Sequence, residues 1–73
     1  MNLVYVYQLN NIKLLCDIVK FSHNYEIEYD RFRTKDGKRF CFRVPAGCNH
    51  SLFLLLFGNG VSLVDKTWEM SWN

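Results

Sequence analysis

Residues 31–43 read Arg31-Phe32-Arg33-Thr34-Lys35-Asp36-Gly37-Lys38-Arg39-Phe40-Cys41-Phe42-Arg43, two runs of alternating basic and aromatic residues joined through Asp-Gly. Period-two alternation sends successive side chains to opposite sides of an extended chain, and Asp-Gly supplies the positive φ that a tight reversal needs. The stretch therefore predicts an antiparallel β-hairpin with a cationic tip. With a two-residue turn, Phe32 faces Cys41, Arg31 faces Phe42, and Asp30 faces Arg43 as a cross-strand ion pair. A three-residue turn moves every pair by one, so local sequence leaves the register open.

The same thirteen positions hold six Lys/Arg against one Asp, while the whole chain of 73 residues carries a formal charge of only +2. The positive field is thus local to the hairpin and marks where an anionic partner would sit.

Upstream, residues 3–8 carry β-branched and aromatic side chains on both alternate faces, which suits a central strand. Asn10-Asn11 offers a helix N-cap. Over residues 12–22, Ile12, Leu15, Cys16 and Val19 recur at helical spacing, and Leu14, Ile18 and Phe21 extend the apolar arc around the far side. Only Lys13, Asp17 and Lys20 form a polar stripe. An arc wider than one sheet face requires has to be covered by a loop or tail of the same chain, or by a second copy. On the second reading Leu14, Ile18 and Phe21 form a homodimer seam. Residues 25–34 then alternate as a strand, with Tyr25, Ile27 and Tyr29 on one side and Glu26, Glu28 and Asp30 on the other.

Downstream, Pro45-Ala46-Gly47-Cys48-Asn49 is a turn cluster. The apolar run 51–57 has no decisive period; its length and bounding glycines favour a buried strand, its leucines a short helix. The strand reading is adopted here. Residues 61–64 follow as a strand, with Trp68, Met70 and Trp72 alternating beyond as an extension or one further strand. The predicted fold is α+β: one domain spanning residues 1–73, a small antiparallel sheet of four to five strands in the order β-α-β-β-β-β, and one helix packed on a face.

Composition narrows the class further. Hydrophobic residues at 49%, with 16% aromatic, exclude a disordered chain. So short a chain has little interior, so part of that apolar surface is expected to face a partner. Cys16, Cys41 and Cys48 are odd in number and lack paired C-x-x-C spacing, which argues against a disulfide framework or zinc ribbon and for a reducing, cytoplasmic setting. The first residues lack the features of a signal peptide, and no apolar run approaches bilayer-spanning length, so no membrane role is expected. Asn49-His50-Ser51 matches a glycosylation sequon, which has meaning only in a secreted chain.

No arrangement of reactive residues suggests catalysis. Cys48-x-His50 lacks zinc spacing, His50 next to Cys48 or Ser51 is not a nucleophile–base geometry, and no phosphate loop or nucleophile elbow occurs. No metal, cofactor or enzymatic activity is expected.

Two binding readings remain. Phe32, Phe40 and Phe42 interleaved with arginines could stack bases and contact phosphates, although the glycine of the RNA-recognition signature is missing from residues 38–42. Against this stand the Trp, Tyr, Met and Arg residues typical of protein interfaces. The preferred expectation is a small, self-associating interaction protein that binds another macromolecule stoichiometrically. It would act as an inhibitor or adaptor of the kind viruses and mobile elements encode. Its contacts would come from Arg31, Arg33, Lys35, Lys38, Arg39, Arg43, Trp68 and Trp72; the alternative is a nucleic-acid-binding module built on the same hairpin.

Overall fold

The computed structural model describes residues 2–27, 29–47 and 49–69. The alternating Val/Tyr segment forms β1 (Asn2–Leu9) at the centre of a four-stranded sheet. It pairs antiparallel with β3 (Phe40–Pro45) on one side and with β4 (Val61–Glu69) on the other; β2 (Asp30–Arg33) adds to the outer edge of β3. Because β3 runs against both β1 and β2, those two are parallel and need a crossover, which is α1 (Leu14–Asn24). By the same logic β3 and β4 are parallel, and α2 (His50–Phe57) followed by a 3-10 turn (Gly58–Gly60) carries the chain between them. The order β-α-β-β-α-β with spatial sequence β2-β3-β1-β4 is the ferredoxin-like split β-α-β arrangement. So general a scaffold says nothing about activity.

The hairpin has the register that pairs Asp30 with Arg43, Arg31 with Phe42, Phe32 with Cys41 and Arg33 with Phe40. Its loop is longer than two residues. The Thr34 N–H donates to Arg39 O at 3.0 Å, and within the loop the Gly37 N–H donates to Thr34 O at 2.8 Å. Gly37 sits at φ +70°, which glycine adopts at no steric cost. A four-residue loop centred on Asp36-Gly37 keeps the pairing of a two-residue turn, because both are symmetric about the same peptide bond.

Pairing parity separates the two sheet faces. Tyr5, Tyr7 and Leu9 of β1 lie beside Phe40, Phe42 and Val44 of β3, and this face carries both helices. Ile18 (0% exposed) and Phe21 come down from α1, Phe53 and Phe57 from α2, and Tyr29 from the segment before β2. The Phe53 ring lies 5.4 Å from Tyr7, 5.6 Å from Tyr29 and 5.5 Å from Phe57, an aromatic cluster that closes the core. Each such ring contributes about 1.5–3 kcal/mol by leaving water. On the other face Val4, Val6 and Cys41 are also buried, but outside that cluster, and are shielded by neighbouring strand side chains.

The α+β class and the antiparallel sheet stand as the sequence predicts, and residues 61–69 form one continuous strand. Three local expectations need correction. Residues 51–57 belong to a helix, which returns the chain from the end of β3 to the start of β4 and puts Phe53 and Phe57 into the core. The strand expected from residue 25 begins only at Asp30: Tyr25 and Glu26 turn the chain out of α1, and Ile27 and Tyr29 pack on the core ahead of the strand. In α1, Ile18 and Phe21 are buried and Leu14 and Leu15 pack against the core, while Ile12 (57% exposed) precedes the helix and Cys16 faces solvent. Ile18 and Phe21, expected at a homodimer seam, are therefore core residues of the same chain, and Leu14 packs half-buried against that core. Met70 and Trp72 lie outside the described residues.

Both sheet edges are blunted. β4 has a bulge where Val6 pairs with Asp65 but Tyr7 with Leu63, and Asp65-Lys66 follows directly; β2 has four residues, two of them arginines. Charges, bulges and short length all disfavour edge-to-edge strand addition.

Candidate partner-binding site at the hairpin end

β1 ends, β3 begins and α1 starts at one end of the sheet, which brings the hairpin loop beside the turn that follows β1. That turn is anchored: the Asn10 N–H donates to Gly60 O at 2.9 Å, the Ser62 hydroxyl donates to Asn10 Oδ1 at 3.0 Å, and the Lys13 N–H donates to Asn11 Oδ1 at 3.0 Å. Between turn and hairpin lies a cleft of about 260 Å³, with Leu9, Asn10 and Ile12 on one wall and Arg33, Lys38, Arg39 and Phe40 on the other.

The hairpin itself positions these cations. Arg33 Nη1 donates to Gly37 O at 3.4 Å, and its guanidinium lies 5.7 Å from the centre of the Phe40 ring. The Arg39 N–H donates to Thr34 Oγ1 at 3.3 Å. Asp36, the only acid in the loop, is committed elsewhere: it accepts from the Thr34 hydroxyl at 2.5 Å and from the Lys38 N–H at 3.0 Å. Those bonds, the Thr34 hydroxyl foremost, hold its carboxyl below the usual carboxylate range, with the nearby Arg39 charge adding to the effect. Among the described residues the only ion pair is Arg43 with Asp30, so Arg33, Lys38 and Arg39 line the cleft with no carboxylate at ion-pair distance.

The other expected contact residues are scattered. Arg43 lies on the helix-free face, 2.9 Å from Asp30 Oδ2 and with Cζ 4.2 Å from the centre of the Phe32 ring. Arg31 lines a separate groove of about 540 Å³ between α1 and β2, shared with Ser22, His23 and Glu26. Lys35 is exposed in the loop. Trp68 is 67% exposed but pairs with Leu3, on the opposite edge and at the opposite end of the sheet from the hairpin tip. Trp72 lies outside the described residues. The structure thus unites Arg33, Lys38 and Arg39 and separates them from Arg31, Arg43 and Trp68.

The phenylalanines do not form a stacking platform. Phe42 is in the core, Phe40 is half-buried on the helix side next to the Arg33 guanidinium, and Phe32 lies beneath Arg43. Sequence reasoning missed Leu9, Asn10 and Ile12 as cleft residues; the one available signal was an apolar Ile12 directly after an Asn-Asn turn. It also missed the outward leucines of α2, where Leu55 is 80% exposed and Leu54 and Leu56 are exposed beside it.

His50 is placed in the first turn of α2 with its ring stacked on Tyr5 at 4.3 Å and 2°, and its Nε2 shares a hydrogen bond with the Tyr7 hydroxyl. Burial pushes the His50 imidazole below its ordinary value and, with the adjacent Tyr5, pushes the Tyr7 phenol up. That nitrogen is occupied and is not directed at Ser51; Cys48 lies outside the described residues. Burial raises the Cys41 thiol despite Arg39 and Arg43 nearby. Among the described residues no three of His, Cys, Asp and Glu gather to hold a metal ion, and no helix is long and apolar enough to cross a membrane. The chain matches no family model, no curated protein and no solved structure.

Proposed function

We propose that this chain is a non-enzymatic interaction protein that binds another protein stoichiometrically, as an inhibitor or adaptor, through the hairpin end of its sheet. The observation that carries this reading is the set of three cations, Arg33, Lys38 and Arg39, held by the hairpin without a carboxylate partner beside the aliphatic Leu9 and Ile12. Charge with aliphatic surface suits an acidic protein surface. Base stacking needs presented aromatic faces, and the hairpin phenylalanines do not offer them. Self-association belongs to the same reading, with support from the outward leucines of α2 rather than from α1.

The test is affinity capture with and without nuclease, using wild type and a variant with Arg33, Lys38 and Arg39 all changed to Glu. A protein that survives nuclease treatment and is lost with the variant supports the reading. Tight, steeply salt-dependent binding of RNA or DNA at physiological salt would replace it with the nucleic-acid reading, because each phosphate contact adds nearly one unit to the log-log salt slope for duplex DNA.

A further inference from the structure

We propose that the cleft between the β1–α1 turn and the hairpin loop seats a single carboxylate of the partner protein together with a neighbouring aliphatic side chain, so that the recognised element is an acidic-aliphatic peptide segment. This rests on the protein-binding reading above and names the chemistry of its site.

Charge, size and lining agree on that ligand. Arg33, Lys38 and Arg39 converge on one space with no ion-paired acid, so an entering anion relieves their mutual repulsion. Two of the three are guanidinium groups, whose planar fork matches a carboxylate with two parallel hydrogen bonds. The volume of about 260 Å³ falls below the roughly 300–1,000 Å³ typical of small-molecule and cofactor sites. It is suited to one or two side chains. Leu9 and Phe40 supply apolar lining and Ile12 an exposed aliphatic rim, so a bare anion leaves part of the wall uncovered and an adjacent aliphatic residue covers it. The larger groove beside Arg31 is less suited, because Glu26 and His23 share it.

The test titrates the full chain at physiological salt with three labelled probes of equal length: a peptide alternating glutamate and leucine, a polyglutamate peptide, and oligothymidylate. The alternating peptide is expected to bind tightest and to shift backbone amides of residues 9–13 and 33–40 in NMR spectra. Changing Lys38 and Arg39 together to Gln should weaken it about tenfold or more, near 1.4 kcal/mol. These two are chosen because Arg33 also bonds the loop backbone. Ile12→Ser should bring the alternating peptide down to the level of polyglutamate and leave polyglutamate unchanged. Arg31→Gln with Lys35→Gln, both outside the cleft, should leave affinity within about twofold.

Equal losses from the two double variants would overturn the cleft and leave the protein-binding reading standing, since attraction would then be diffuse. Tighter binding of oligothymidylate than of either peptide would overturn both. Absence of binding by all three probes to the folded chain would overturn the cleft alone, because affinity capture tests the broader reading independently.

Discussion

The Tyr7 hydroxyl and His50 Nε2 share a 2.5 Å hydrogen bond that ties the first turn of α2 to the middle of β1. α2 needs this tether: the residue preceding it, Asn49, has φ 55° and makes no side-chain cap, and most of the outward side of α2 is leucine. The His50 ring thus fixes α2 to the sheet at an end where no side chain caps the helix.

The burial of His50 makes stability acid-sensitive. Burial lowers the folded-state imidazole below the ordinary 6.5, so between those two values the unfolded chain binds more protons than the folded one. Stability is therefore full above about pH 6.5 and falls as pH drops through the folded-state value. Denaturant midpoints measured against pH should show this slope in wild type and lose it in His50→Gln. Tyr7→Phe should cost about 1 kcal/mol at neutral pH through the lost hydrogen bond, yet keep the slope, because burial rather than Tyr7 shifts the imidazole.

Ile18 and Leu55 should respond oppositely to charge. Ile18→Asp puts an unpaired carboxylate into a fully buried site and should unfold the domain, whereas Ile18→Ala should cost about 2–5 kcal/mol. Leu55→Glu lies on an 80% exposed position and should change stability by no more than about 0.5 kcal/mol. Sedimentation equilibrium should find Leu55→Glu monomeric where wild type self-associates; an unchanged association state would remove α2 from the interface.

Thiol reactivity should split by burial. Cys41 is almost completely enclosed and its thiol is raised by that burial, while Cys16 is exposed on α1. Alkylation of the native protein followed by peptide mass mapping should label Cys16 quickly and Cys41 only after denaturation, since the thiolate is the reacting form.

Gly60 sits against the Leu14 side chain. A Cβ at Gly60 would run into Leu14 Cδ1, and Leu14 would have to leave its rotamer. Gly60→Ala should lower stability by about 0.5–1.5 kcal/mol, the scale of one displaced side-chain torsion. Combined with Leu14→Ala, its added cost should shrink, and a thermal-unfolding double-mutant cycle measures that coupling.

What could be read from the chain was what short-range physics dictates. The period-two pattern of residues 3–8 announces β1, Asp36-Gly37 centres the hairpin, and the apolar positions after Asn11 announce α1, because each signal depends on neighbours within one strand or a few turns. The inward side of α1 was not legible: two apolar arcs compete, and only the setting of the helix against the sheet puts Ile18 and Phe21 inside and leaves Ile12 out. Residues 51–57 were ambiguous for a related reason. Six apolar residues behind Ser51 carry no period that separates strand from helix, and the choice is made on the return path from the end of β3 to the start of β4, where a helix buries Phe53 and Phe57 on the sheet. The cleft lay furthest from reach. Leu9 and Ile12 precede α1 in the chain while Arg33 and Arg39 follow it, and only the β3–β1 pairing brings them to the same end of the sheet.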